Sequence, residues 1–169
     1  MASIAHWFGF GSATKANKGE LKQTRAEAAI TYSAQLVPSL LSDHKELFKL
    51  YDEITAALEA GQFDSLPKLL GTFKTKLDVH LLSENLRFYC YLEQSLAHHP
   101  NELEIMKGFR REMNDIARAA VNFVRKWQVA GITPGSVRTF TMEAKQVRTL
   151  LEERMQREES GLYPLYTSS

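Results

Sequence analysis

His80 and Glu84 stand four residues apart in HLLSENLRFYCYLE, residues 80–93, among leucines, a phenylalanine and two tyrosines. Residues at that spacing are neighbours on one helix face, so an imidazole and a carboxylate share a stripe that a helix ordinarily fills with leucine. The pair can do one of two things. It can hold a divalent cation jointly, or it can form a buried hydrogen-bonded pair. Three more polar residues sit on apolar stripes in the same way. His44 comes one turn before Leu47 and Phe48, and Arg154 and Glu158 lie four apart in LLEERMQREESGLYPLY. Burying an unpaired charge costs several kcal/mol, so these side chains must satisfy one another or an ion.

The elements that would position them follow from periodicity. Residues 1–38 read as an irregular arm, rich in Gly, Ser and Lys over GFGSATKANKG and ending at Pro38, which disfavours helix at Val37. A helix between Lys18 and Ala34 is the one regular element this arm could hold. The GxG within it has no preceding strand and no GK[ST] ending, so it is no phosphate loop. From residue 39 to 169 the chain reads as a bundle. Ser42 or Asp43 opens a first helix carrying Leu47, Tyr51, Ile54 and Leu58, and Gly61 stops it. Asp64 or Ser65 opens the second, with Pro67 in its first turn and Leu66, Leu70, Phe73, Leu77, His80, Glu84, Phe88 and Tyr91 on one stripe. The third runs from Asn101 through Met106, Phe109, Met113, Ile116, Ala120, Phe123 and Trp127. The fourth runs from about Ser136 through Val137, Phe140, Ala144, Val147, Leu151, Arg154 and Glu158 until Gly161. Steps of three and four with short connections give an all-α, up-down-up-down four-helix bundle preceded by an N-terminal arm.

Helix rise tests whether the polar residues can meet. His44 lies about fifteen residues before the end of its helix and His80 about sixteen after the start of the next, so both stand ~22–24 Å from the connecting turn. In a hairpin they share one level. Glu84 is one turn further on, and Arg154 and Glu158 arrive within about a turn and a half. Two imidazoles and two carboxylates then face one interior point. Such a mixed set suits non-haem iron, with zinc or manganese as other occupants, and Arg154 can pair with a carboxylate. A metal-free network, with His80 bonded to Glu84 or Glu158 and neutralised by Arg154, remains open on the residues alone.

Taken together, DHKELFKLYDEI, LDVHLLSENLRFYCYLE and LLEERMQREESGLYPLY resemble the hemerythrin-like (HHE cation-binding) domains, four-helix bundles that hold a non-haem di-iron centre. The resemblance covers residues from about 40 to 166. It implies that His44, His80 and Glu84 ligate one metal position and that Glu158 is the late bridging carboxylate. It also exposes two departures. Met113 stands where the third helix of the family supplies a histidine, and Arg154 stands where the fourth does. The implied protein is a metal-binding, iron-preferring one with at most a mononuclear site. A diatomic or peroxide ligand (O2, NO) would be sensed or bound there rather than turned over. The departures equally allow a chain with no cofactor at all. Arg154, always charged and able to fork onto a carboxylate, is expected to replace the second metal.

The remaining composition narrows the partners. Lys and Arg number 21 against 20 Asp and Glu, for a net charge of +1 without clustering, which gives no footprint for nucleic acid. No apolar run reaches the ~18 residues a bilayer span requires, and MASIAHWFGF lacks the basic start of a secretory leader. With one cysteine, Cys90, a cytoplasmic location is expected. The competing reading is a metal-free bundle acting as a protein-interaction module or homodimer, contacting its partner through Trp7, Phe8 and Phe10 of the arm or through the LYPLYTSS tail. Tyr89, Tyr91, Tyr163 and Tyr166 read as core and cap residues, Glu159 as a solvated charge, Met113 as core filler, and His98 and His99 as exposed turn residues.

Overall fold

Four apolar stripes require four rods to cover one another, and the computed structural model, which describes residues 30–168, shows that solution. Helix α1 spans Leu36–Glu59; a 3-10 turn, Phe63–Ser65, leads into α2, Leu66–Ser83. The second rod continues without a break through a π-helical turn, Glu84–Phe88, into α3, Tyr89–Ser95. Helix α4 spans Pro100–Ala130 and α5 spans Val137–Arg157. The last rod also runs on, through a second π turn, Glu158–Leu162, and a 3-10 turn, Tyr163–Leu165. Each rod packs on the next in sequence, and α5 returns to α1. No strand occurs among the described residues. The all-α, up-down-up-down four-helix bundle stands.

Helix α1 begins at Leu36, earlier than the Ser42 expected from sequence, and Pro38 lies inside its first turn. Proline is tolerated there because its missing N–H is among those that have no intrahelical acceptor. What favours the extra turn is burial: Leu36 and Leu40 are 1% and 0% exposed. The arm is therefore shorter than expected at its C-terminal edge. Residues 30–35 are not helical. The rest of the helix expected within Lys18–Ala34, and the Trp7, Phe8 and Phe10 patch, lie outside the described residues. Gly61 ends the α1 turn at φ 69° and Gly131 ends α4 at φ 70°, values that L side chains rarely adopt. Helix α4 starts on Pro100 itself, with His99 as the preceding cap residue. The fourth rod does not stop at Gly161, which lies within the second π turn.

The core divides in two along the bundle. One cluster gathers Leu47, Tyr51, Ile54, Phe73, Leu77, Phe123, Phe140 and Leu151; the other gathers Leu36, Leu40, Phe88, Tyr91, Met106, Leu162 and Tyr166. On three rods the polar residues fall at the junction between them: His44 between Leu40 and Leu47, His80 and Glu84 between Leu77 and Phe88, and Arg154 and Glu158 between Leu151 and Leu162. The tail closes the second cluster. Tyr91 donates its hydroxyl to the Thr167 carbonyl at 2.5 Å, and Ser33 N–H donates to Tyr166 Oη at 3.0 Å. In the LYPLY segment Leu162, Tyr163 and Tyr166 are buried, while Pro164 and Leu165 are exposed.

Candidate metal centre

All five residues singled out from sequence are buried, at 2% for His44, 1% for His80, 0% for Glu84, 1% for Arg154 and 0% for Glu158. They come together as two adjoining groups.

The first group is formed by α1 and the second rod. The His44 and His80 rings meet edge to face with centroids 4.8 Å apart. His80 Nε2 lies 3.7 Å from Glu84 Oε2, and His44 Nε2 lies 3.8 Å from Glu158 Oε2. One donor atom from each of His44, His80 and Glu84 lies within 4.8 Å of the others, a spacing at which three ligands can close on one ion. Glu158 approaches this triad through Oε2 alone.

Each imidazole also has a carboxylate behind it. Glu159 Oε1 is 2.7 Å from His44 Nδ1, and Asp43 Oδ2 is 3.5 Å from His80 Nδ1, the latter beyond a good hydrogen bond. For His44, the carboxylate on Nδ1 keeps the proton there and turns the Nε2 lone pair inward, as metal-ligating histidines require.

The second group belongs to the far side of the fourth rod. Arg154 Nη2 donates to Tyr89 Oη at 2.6 Å and pairs with Glu158 Oε1 at 2.8 Å. Tyr89 donates its hydroxyl to the same Glu158 Oε1 at 3.3 Å. The guanidinium carbon stands 4.9 Å from the Phe109 ring centroid, supplied by α4. This is cation–π range. Met113, one turn along α4 from Phe109, is buried as filler.

The π turns account for a feature that the sequence reading missed. In an α-helix a residue five positions on points about 140° away; a π turn closes i to i+5 and brings it back. Tyr89 N–H bonds to the Glu84 carbonyl and Tyr163 N–H to the Glu158 carbonyl. Each tyrosine then reaches across to the other glutamate: Tyr163 donates its hydroxyl to Glu84 Oε1 at 3.1 Å, while Tyr89 takes Glu158. The two segments share one spacing, His80-x3-Glu84-x4-Tyr89 and Arg154-x3-Glu158-x4-Tyr163. That repeat was the available signal for both tyrosines. Helix α4 supports the first π turn through Arg110, which donates Nε to Asn85 Oδ1 at 3.2 Å and Nη1 to Glu93 at 2.9 Å. Cys90 Sγ is 3.1 Å from the Asn85 carbonyl, a weak thiol bond on the same turn. Glu159 was read as a solvated charge. It is 43% exposed, yet its carboxylate holds His44.

Electrostatics separate the two groups further. Burial holds His80 down to about 3, with His44 beside it acting in the same direction, and burial lowers His44 against the pull of Glu159. Both imidazoles are therefore neutral at pH 7, the state a metal requires. Burial pushes Glu84 well above the usual carboxylate range, and Glu158 adds to that. Burial raises Glu158 to about 7 in spite of Arg154. His80 Nδ1 and Nε2, Glu84 Oε2 and Glu158 Oε2 are buried without a hydrogen-bond partner, as are Nε and Nη1 of Arg154 on the other side of Glu158. The unpartnered oxygens of Glu84 and Glu158 and the Nε2 of a neutral His80 are atoms that a cation can satisfy. The donor set fits a metal ion.

A comparison with protein families matches residues 35–166 to the hemerythrin HHE cation binding domain. No curated protein and no solved structure matches the chain.

Proposed function

Since the chain belongs to the hemerythrin HHE cation-binding family, we propose that it is a metal-binding protein with one cation site per chain, held by His44, His80 and Glu84 and approached by Glu158. The observation that carries this reading is that one donor atom each of His44, His80 and Glu84 lies within 4.8 Å of the others, with His80 Nε2, Glu84 Oε2 and Glu158 Oε2 among the buried atoms that have no hydrogen-bond partner. Iron is the first choice of ion, since two imidazoles with carboxylate oxygens are donor types of non-haem iron sites. Zinc and manganese are weaker choices. When bound, the ion supplies Lewis acidity and redox capacity at a buried point. The residues do the rest: Glu159 orients the His44 imidazole, and Phe88 and the leucines around the site exclude bulk water.

In this reading Arg154 takes the role of a second cation. It delivers one positive charge to Glu158, and α4 contributes Phe109 and Met113, neither of which can donate an imidazole nitrogen. A site with a single metal has one electron pool to draw on, so sensing or binding of a diatomic or peroxide ligand is the favoured role over oxygen carriage by a metal pair. The half-buried thiol of Cys90 accords with a reducing cytoplasm, and no described helix is long and apolar enough to cross a membrane.

Metal content of the purified wild-type chain and of His80→Ala, with circular dichroism of both, tests the reading. Wild type should carry metal and His80→Ala should lose it while keeping its helical signal. Equal metal content in the two would overturn the ligand role of His80.

A further inference from the structure

Tyr163 is unused by the reading above, although its hydroxyl oxygen lies inside the donor cluster. It is 3.1 Å from Glu84 Oε1 and 3.2 Å from His44 Nε2. Donor atoms bound to one ion at about 2.0–2.2 Å stand ~3.0–3.4 Å apart when they occupy adjacent corners of its coordination shell. Tyr163 Oη meets that spacing against two of the three proposed ligands.

Proton counting sharpens the point. A phenol has one hydrogen to donate, and here two acceptors face it. The His44 proton is on Nδ1, turned toward Glu159, so the Nε2 lone pair points at the phenol oxygen. Glu84 Oε1 accepts the single O–H. With Glu84 ionised, one contact of the two is lone pair against lone pair, and a cation between them relieves it.

The ring has little freedom to turn away. Tyr163 is 5% exposed and stacks on His44 at 5.8 Å and 21°; Phe88 meets it edge-on at 5.1 Å. Its backbone N–H is tied to Glu158 by the π turn, and Pro164 follows it. Tyr89, the matching residue of the other segment, is a useful contrast: its oxygen already receives Arg154 Nη2 at 2.6 Å and is committed to the guanidinium.

Resting on the proposed cation site, we propose that Tyr163 is a further ligand of that cation, its oxygen closing the set formed by His44, His80 and Glu84. On binding, the Tyr163 O–H bond breaks, its proton leaves to solvent, and an oxygen–metal bond forms. No electron changes hands in that step.

Ferric iron is the probe, because phenolate bound to it absorbs in the visible, whereas imidazole and carboxylate ligands give no such phenolate-to-iron band. The full chain is loaded with ferrous iron, oxidised in air, and examined by visible absorption and resonance Raman, with iron counted per chain. Wild type should show a phenolate-to-iron band whose Raman modes shift when the protein is made with ring-deuterated tyrosine. Tyr163→Phe should lose at least tenfold of that intensity at wild-type iron content, and Tyr89→Phe should keep it. Should Tyr163→Phe not fold, the wild-type isotope shift together with an intact band in Tyr89→Phe leaves Tyr163 as the donor. Iron bound without a phenolate band, or with a band that survives in Tyr163→Phe, overturns the ligand role alone. A wild-type chain that takes up no iron overturns the site and this role together.

Discussion

The His80 segment and the Arg154 segment have one layout and opposite electrostatic needs. Both present a head residue, a glutamate four positions on and a tyrosine five beyond that, and both place a π turn at the glutamate. In the His80 half, neutral imidazoles and a buried carboxylate leave inward lone pairs with nothing to bind. In the Arg154 half, the head residue brings its own positive charge, which Glu158, Tyr89 and the Phe109 ring receive through one edge of the guanidinium, Nε and Nη1 having no hydrogen-bond partner. The identity of one residue at the head of the repeat thus decides whether a half must import a cation. Two copies of one local geometry then need not hold two metals.

The largest effect expected is on the arginine half. Arg154→Leu would leave Glu158 buried beside no cation, and breaking a buried pair by removing one partner costs about 3–5 kcal/mol. Urea unfolding of the metal-free chain at pH 8 should show that loss. The loss should shrink toward pH 5.5, where Glu158 can take a proton. The histidine half should respond with the opposite sign. His80→Leu removes two buried unpartnered nitrogens, so the metal-free chain should gain about 1 kcal/mol while cation uptake disappears. Parallel losses of stability in both variants would erase the distinction between the halves.

Acidity divides them next. Glu158 titrates at about 7 in the folded chain and nearer 4.5 when unfolded, so the native state binds the extra proton. Its contribution to stability is present below the unfolded value and is lost as pH rises through about 7. Metal-free wild type should therefore weaken as pH rises from about 4.5 to about 7, and Glu158→Gln should remove that slope. His80 runs the other way: it is held down to about 3, so its contribution is lost as pH falls from its ordinary 6.5 toward that value. Cation affinity, measured by competition with a chelator, should drop below about pH 7 as protons occupy Glu158 and Glu84.

Smaller effects lie one layer out. Glu159→Ala frees His44 Nδ1 and should weaken cation binding about 10–100-fold with little change in the stability of the metal-free chain, because Glu159 is 43% exposed. Phe109→Leu removes the ring over Arg154 and should cost on the order of 1 kcal/mol without altering metal content.

The bundle and the shared level of the five polar residues were legible because both depend on α-helical counting over long, strongly periodic stretches. His44, His80, Glu84, Arg154 and Glu158 are where that counting places them. It failed where the helix departs from 3.6 residues per turn. Tyr89 and Tyr163 look like core residues until the π turns rotate them onto the glutamate face. Glu159 looks solvated because its backbone is at the surface, although its carboxylate reaches inward. Pro38 read as a stop because the burial of Leu36 and Leu40, which stabilises one more turn, depends on a second core cluster built partly by the distant tail.

The central proposition is that each chain holds a single ion because a guanidinium occupies the other half. Counting ions decides it: metal-free wild-type protein is titrated anaerobically with ferrous iron, and the bound ions per chain are measured. One is expected. Two would mean that Arg154 displaces nothing, and none would mean that the inward lone pairs of the histidine half are satisfied by some other means.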